Sequence, residues 1–148
     1  MVSDDGVEQA WGRLVQLLFS RRDVFLAMSR ELGLTPPQTH ALMTLGAGPA
    51  RMGSMADAMV CDASYITSIV DRLEELGLAE RQPSTTDRRV KEVALTEAGR
   101  QAVARLHKAM FEPPATLRRL SARDRNDLVR IAQRLVPDDP GPPRFDVR

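Results

Sequence analysis

A mainly α domain with one small two-stranded β ribbon is the fold class this sequence predicts, and three stretches predict it. The first is Asp62 to Gly77, a helix with a sharp start and a sharp stop. Asp62 is placed to cap it through its side-chain oxygen, and Gly77 ends it where a positive φ is cheap. Ile66, Ile69, Val70, Leu73 and Leu76 recur at three- and four-residue steps, so one face is buried. The second stretch runs on to Leu95. There Val93 and Leu95 alternate with Glu92 and Ala94, and Pro83-Ser84-Thr85-Thr86-Asp87 makes a turn-rich tip. The third, Ser54-Met55-Ala56-Asp57, is a capping-box-like start to a short helix ending near Cys61. Two short helices joined by three or four residues form a helix-turn-helix unit, whose second helix enters the major groove of DNA. With the ribbon added, the outline is a winged helix-turn-helix.

The exposed face of the second helix carries Ser64, Tyr65, Thr67, Ser68, Asp71 and Arg72. Near its N-terminus that face is short, polar and uncharged, which suits reading base edges rather than only gripping phosphates. Three cations, Arg88, Arg89 and Lys91, follow the ribbon tip. The alternative is a surface helix and hairpin of an α+β domain with solvated charges. The run MADAMVCDASYITSIVDRLEELGLAERQPSTTDRRVKEVALTEAGR weighs against that, because it resembles the core of the MarR family of bacterial transcriptional regulators. The resemblance rests on VDRLEELGLAER, the DRR of the wing and the LTEAGR that follows, in the family's order and spacing. It covers about a third of the chain.

At 148 residues the chain is long enough for one domain with a real core. Only six residues are aromatic, so that core must be mainly aliphatic. The start, MVSDDGVEQ, is acidic rather than signal-like, and no apolar run is long enough to span a membrane, so a cytoplasmic location is expected. One cysteine excludes an intrachain disulfide framework and any multi-cysteine zinc site. The charge is instructive. Net +1 is no nucleic-acid signature, and Ser54–Arg100, the proposed DNA-reading segment, has six cations against nine anions. Only from Arg81 to Lys91 does it turn positive. Phosphate attraction must then come from the wing, from helix N-termini and from pairing two subunits.

In chain order, Val7–Glu31 reads as one long amphipathic helix with Val7, Trp11, Leu14, Leu18, Phe25 and Met28 on a stripe. Gly33 stops it. Thr35-Pro36-Pro37-Gln38 opens a second helix, with Thr35 as cap, Pro36 in the first turn and Gln38 completing the box. It runs to about Leu45. After the wing, Thr96-Glu97 starts a helix to about Phe111 with Ala98, Ala102, Leu106 and Met110 on its buried side. Pro113-Pro114 must break or sharply kink it. Ala115–Leu120 leads to a last helix, capped at Ser121 and reaching about Val136, with Leu128, Ile131 and Leu135 inward. Residues 137–148 are Pro-rich, a tail expected to be disordered.

The organisation expected is a single domain over 1–148, with a DNA-binding lobe at 34–100 and dimerisation helices at 7–31 and 101–136. A homodimer built from both chain ends would bury the wide stripes of the end helices, and MarR-like proteins dimerise that way. Two recognition helices about 34 Å apart would match a pseudo-palindrome with half-sites about 10 bp apart.

By resemblance, Ser64, Tyr65, Thr67 and Ser68 fall where the family contacts bases and nearby phosphates. The family often has an arginine near Ser68 and this chain does not, which shifts weight to Tyr65 and indirect readout. Arg88 and Arg89 match the wing pair, the second being the better candidate for the minor groove. Arg72 is a DNA contact or the partner of Asp71 or Glu75, and Lys91 and Arg81 are candidate phosphate contacts. Asp71 matches an aspartate that pairs with a wing arginine in the family. The resemblance also implies a small phenolic or anionic effector in the cleft between lobes, where Trp11, Arg13, Phe19, His40 and Met43 are residues of a suitable kind; nothing in the sequence selects among them.

Cys61 reads as a small buried residue rather than a redox sensor, and Met52, Met55 and Met59 as core filler. His40 and His107 lack ligand spacing, and no cofactor or metal motif is present. A Cys61 nucleophile paired with either histidine is the enzymatic alternative, disfavoured by the absence of a nucleophile elbow, phosphate loop or paired buried carboxylates. A winged helix that binds protein instead of DNA is the other alternative, and the acidic surface suits it.

Overall fold

In the computed structural model, which describes residues 4–136, the chain runs α1 (Asp4–Phe19), α2 (Arg22–Glu31), α3 (Pro36–Thr44), α4 (Met52–Met59), α5 (Ala63–Glu75), β1 (Ala79–Pro83), β2 (Lys91–Leu95), α6 (Glu97–Phe111), α7 (Ala115–Arg118) and α8 (Ala122–Leu135). The mainly helical class with a two-stranded wing is as expected. The stretch 137–148, expected to be a disordered tail, lies outside the described residues.

The single long helix expected over Val7–Glu31 is two helices, broken at Ser20-Arg21. Ser20 Oγ donates to the Leu17 carbonyl at 2.6 Å, and the Arg21 amide bonds only three residues back, to Leu18 at 3.0 Å. Both compete with the regular four-residue ladder. Gly33, at φ 67, closes α2 with paired bonds from its own amide to Arg30 and from Leu34 to Ser29. The box that opens α3 is present, its Thr35 amide donating to Gln38 Oε1 at 2.9 Å.

The helix expected from Ser54 starts earlier, at Met52, so Ser54 and Asp57 lie inside it and form no capping box. The reason is tertiary. Ala50 pairs with Val93 through bonds of 3.0 and 2.8 Å, holding the chain extended up to Arg51, and the helix begins as soon as that bridge releases it.

α4 ends in the same two-bond pattern as α2, with Val60 donating to Asp57 and Cys61 to Ala56, but the left-handed position is filled by Val60 at φ 50. A β-branched residue is strained there, and the Val60 side chain is 91% exposed, so no packing offsets the strain. Val60→Gly is expected to stabilise the protein by about 1 kcal/mol, read as a rise in the denaturation midpoint at unchanged m-value.

The core sits where α3, α5 and α6 meet under the wing. Leu42, Leu45, Met55, Ile66, Ile69, Val70, Leu73, Val93 and Leu106 are buried there, with Phe25, Met28, Met52, Met59 and Leu76 packed at its edge. Two expectations on α6 and α8 are corrected. Ala98 is exposed and its neighbour Gly99 is buried instead. Leu128, Ile131 and Leu135 are not inward: they are 39, 47 and 65% exposed, as Val7, Trp11 and Leu18 of α1 are exposed. Among the described residues, none of α1 or α8 belongs to the core within one chain. Among the described residues no helix is long and apolar enough to cross a membrane.

Candidate nucleic-acid interface

Burying Ile66, Ile69, Val70 and Leu73 against the core turns the opposite side of α5 outward. Ser64, Tyr65, Thr67 and Ser68 are all exposed there, as expected, and Tyr65 presents nearly half its surface. Thr67 Oγ1 donates to the Ala63 carbonyl at 2.9 Å, so its hydroxyl offers an incoming group only acceptor capacity and a methyl. Asp62 holds the N-cap backbone geometry at φ −72, ψ 149, but its side chain makes no capping bond. The expected side-chain cap is absent, and the exposed carboxylate stands free at the helix start.

The helix ends as expected. Gly77 at φ 67 donates to the Glu74 carbonyl at 2.9 Å and Leu78 to Leu73 at 2.9 Å. This stop feeds the chain straight into β1, which pairs antiparallel with β2 in the register Ala79↔Leu95 through Pro83↔Lys91. Val93 and Ala94 are both buried, so the expected alternation in β2 is incomplete. The first turn of α6 lies directly on the same stop. Thr96 Oγ1 donates to the Gly77 carbonyl at 2.6 Å and accepts from the Gly99 amide at 3.1 Å, and the Thr96 amide donates to Leu78 at 3.1 Å. The LTEAGR segment is therefore a bracket that fixes the recognition helix and wing to α6.

A second bracket is electrostatic. Arg81 of β1 places Nη2 2.6 Å from Asp71 Oδ1 and ion-pairs through Nη1 with Glu74 Oε2, while its amide donates to Glu74 Oε1 at 2.8 Å. The hydrogen bond to Asp71 is the largest cause holding the guanidinium above its ordinary pKa. Arg81 is thus the wing arginine that Asp71 meets. It is committed to two carboxylates on α5 and is not a free phosphate contact, which corrects the expectation for it. Glu74 was missed as a clamp member, although its place one turn beyond Asp71 on the same face was a signal. Arg72 lies 3.0 Å from Glu75, an exposed pair that binding can reorganise.

These pairs also bear on the acidic charge of the segment. Asp71 and Glu74 share one arginine, Arg81, and Glu75 pairs with Arg72, so two of these three negative charges are offset at short range. By contrast, Arg88, Arg89 and Lys91 are exposed, and among the described residues none of their side chains is ion-paired. Asp87 Oδ1 accepts from the Arg89 amide at 3.0 Å, which shapes the tip without taking up the guanidinium. The wing therefore presents three uncompensated cations on the loop and strand beyond its tip.

Removing the clamp tests this geometry. Arg81→Ala is expected to cost about 1 kcal/mol of stability, since the site is partly exposed, and to speed amide exchange in both wing strands. Unchanged exchange in β1 and β2 would show that the ion pairs do not hold the wing.

His40 is exposed and, with Phe25, Pro36, Pro37, Cys61 and Tyr65, lines a cavity of about 420 Å³. Cys61 is half-buried. Met43 is buried, whereas Trp11, Arg13 and Phe19 are exposed on α1. Among the described residues no group of three or more His, Cys, Asp or Glu side chains could hold a metal.

A helix-turn-helix with a cationic two-stranded wing bracketed onto its second helix defines a winged helix-turn-helix protein. The comparisons give the family. The MarR family model matches residues 34–91. A protein of Thauera aromatica, to which a regulatory role for the hcr operon is ascribed, is 35% identical over 109 residues, covering 72% of this chain and 66% of that one. The HTH-type transcriptional repressor MdtR of Bacillus subtilis is 33% identical over 87 residues, covering 57% and 56%. The chain thus spans about two thirds or less of the length of these two relatives. The crystal structure of RV1404 from Mycobacterium tuberculosis superposes with a TM-score of 0.73 at 24% identity, over 95% of this chain and 97% of that one. The chain belongs to the MarR family.

Proposed function

We propose that this protein is a DNA-binding transcriptional regulator that acts as a homodimer and represses by occupying a pseudo-palindromic promoter site. The observation that carries the proposal is the pairing of an uncharged polar face on α5 with the uncompensated cations Arg88, Arg89 and Lys91 on a wing that Arg81 fixes to that helix. Ser64, Tyr65, Thr67 and Ser68 would read base edges in the major groove, and Arg72 would reach the flanking phosphates. Arg89 would enter the minor groove while Arg88 and Lys91 hold the backbone.

Dimerisation is supported by the apolar faces of α1 and α8. Trp11, Leu18, Ile131 and Leu135 stand exposed on helices that give nothing to their own core, and a second copy would cover them. Residues 34–100 would form the reading lobe, with 7–31 and 101–136 as the dimer lobe. Release by a small phenolic or anionic effector belongs to the same proposal. Its support is the cavity beside Tyr65, where an occupant would touch a base-reading side chain. No catalytic role is proposed.

Stoichiometry tests the reading. Sedimentation of the protein alone, and then with a random-sequence duplex pool at low salt, is expected to give a dimer and a complex of two chains per duplex. A monomer throughout, or no complex at low salt, would contradict it.

A further inference from the structure

Pro113-Pro114 does more than end α6. In a regular helix the carbonyl of Ala109 would accept from the amide of residue 113, and that of Met110 from residue 114. Both are proline, and neither has an N–H to give. The last regular bond of α6 runs from the Glu112 amide to the Lys108 carbonyl at 2.9 Å. The two carbonyls beyond it are taken by a residue 88 and 89 positions upstream. Arg21 Nη2 donates to Ala109 O at 2.6 Å and reaches Met110 O at 3.4 Å. One guanidinium thus replaces the two missing donors, and its charge sits favourably at a helix C-terminus.

The place of this contact gives it a consequence. Arg21 is the residue at which α1 and α2 part, and Pro114 is the residue from which α7 and then α8 depart. The two segments with exposed apolar faces therefore leave α2 and α6 at one joint, and the Arg21 guanidinium closes it. A cavity of about 320 Å³ lies at the same corner, lined by Arg21, Val24, Glu112 and Arg118, with Arg118 3.2 Å from Glu112. We propose that Arg21 is a positioning residue, matched to Pro113-Pro114. It sets the direction of the dimer helices and, through them, the half-site spacing the dimer accepts. The spacing claim rests on the dimeric DNA-binding reading above; the joint itself does not.

Two experiments on the full chain separate these. Without DNA, Arg21→Ala is expected to lower Tm by about 5 °C. In a Pro113→Ala, Pro114→Ala background, where the α6 ladder regains its own donors, the same change should cost less than half as much. Arg21→Met, which keeps the aliphatic stem and removes the donors, should match Arg21→Ala in the native background. An equal loss in both backgrounds, or an unchanged Tm for Arg21→Met, overturns the joint. With DNA, a duplex pool of paired half-sites at varied separations should yield one spacing for the native protein. For Arg21→Ala it should yield several, with affinity for the native spacing down on the order of tenfold. A single unchanged spacing bound within twofold overturns the positioning role. If the native protein selects no paired half-sites, the regulator reading fails, while the thermal comparison still judges the joint.

Discussion

Replacing Arg88 and Arg89 together by alanine is expected to lower affinity for a selected operator by about 100-fold while leaving the fold untouched. Both side chains are exposed and, among the described residues, neither is in an ion pair, so their loss removes no contact that holds the wing. Tm should stay within about 1 °C. Two mechanisms contribute to the affinity. Each phosphate contact removed lowers the magnitude of the log–log salt slope by about 0.9, and a dimer loses contacts on two wings. A guanidinium in a narrow minor groove also reads its width, so preference at the A·T-rich flanks should relax. Fluorescence anisotropy across a salt series measures both. Affinity within twofold of native would move the protein-binding winged helix to the front.

Gly99→Ala should have the largest effect on stability. By helix propensity alone the change gains up to about 1 kcal/mol. The position forbids it: a Cβ on Gly99 would lie far inside contact distance of the Leu78 carbonyl oxygen and 3.1 Å from Leu95 Cδ2. Leu78 follows the glycine that stops α5, and its carbonyl already accepts from Thr96. To relieve the overlap, α6 must lift off the recognition helix, which breaks the Thr96 bonds to Gly77 and Leu78. A net loss of about 3 kcal/mol is expected, a fall in Tm on the order of 10 °C. Ala98→Gly is the control. Ala98 is exposed one residue earlier, so that change should cost about 1 kcal/mol at most, through helix propensity. If Gly99→Ala melts like the native protein, the bracket is not what fixes the reading head.

Where the sequence was legible, local and tertiary signals agreed. The stripe of Ile66, Ile69, Val70 and Leu73 and the stop at Gly77 are local, and the core needs the same face buried. The basic wing residues were equally readable, because charge after a turn tip has little else to do. Three of the misses involve a partner distant in the chain. Phe25 and Met28 continue the stripe past Ser20 and hide the break; beside the local bonds of Ser20 and Arg21 to Leu17 and Leu18, the guanidinium of Arg21 reaches carbonyls 88 and 89 residues away. The box at Ser54 lost to the Ala50 bridge with Val93. Arg81 looked like its neighbours in charge, and only the packing of β1 on α5 shows that Asp71 and Glu74 hold it. A count of charges cannot separate a committed arginine from a free one.

The central claim is that two copies of this chain read a two-fold symmetric DNA site through α5 and the wing. The most direct test is selection from a random duplex pool at moderate salt, sequencing what the full chain retains. A motif of two inverted half-sites with centres about 10 bp apart is expected. No enriched motif, with retention that vanishes as salt rises, would contradict the claim and leave only weak attraction of the wing cations for phosphate.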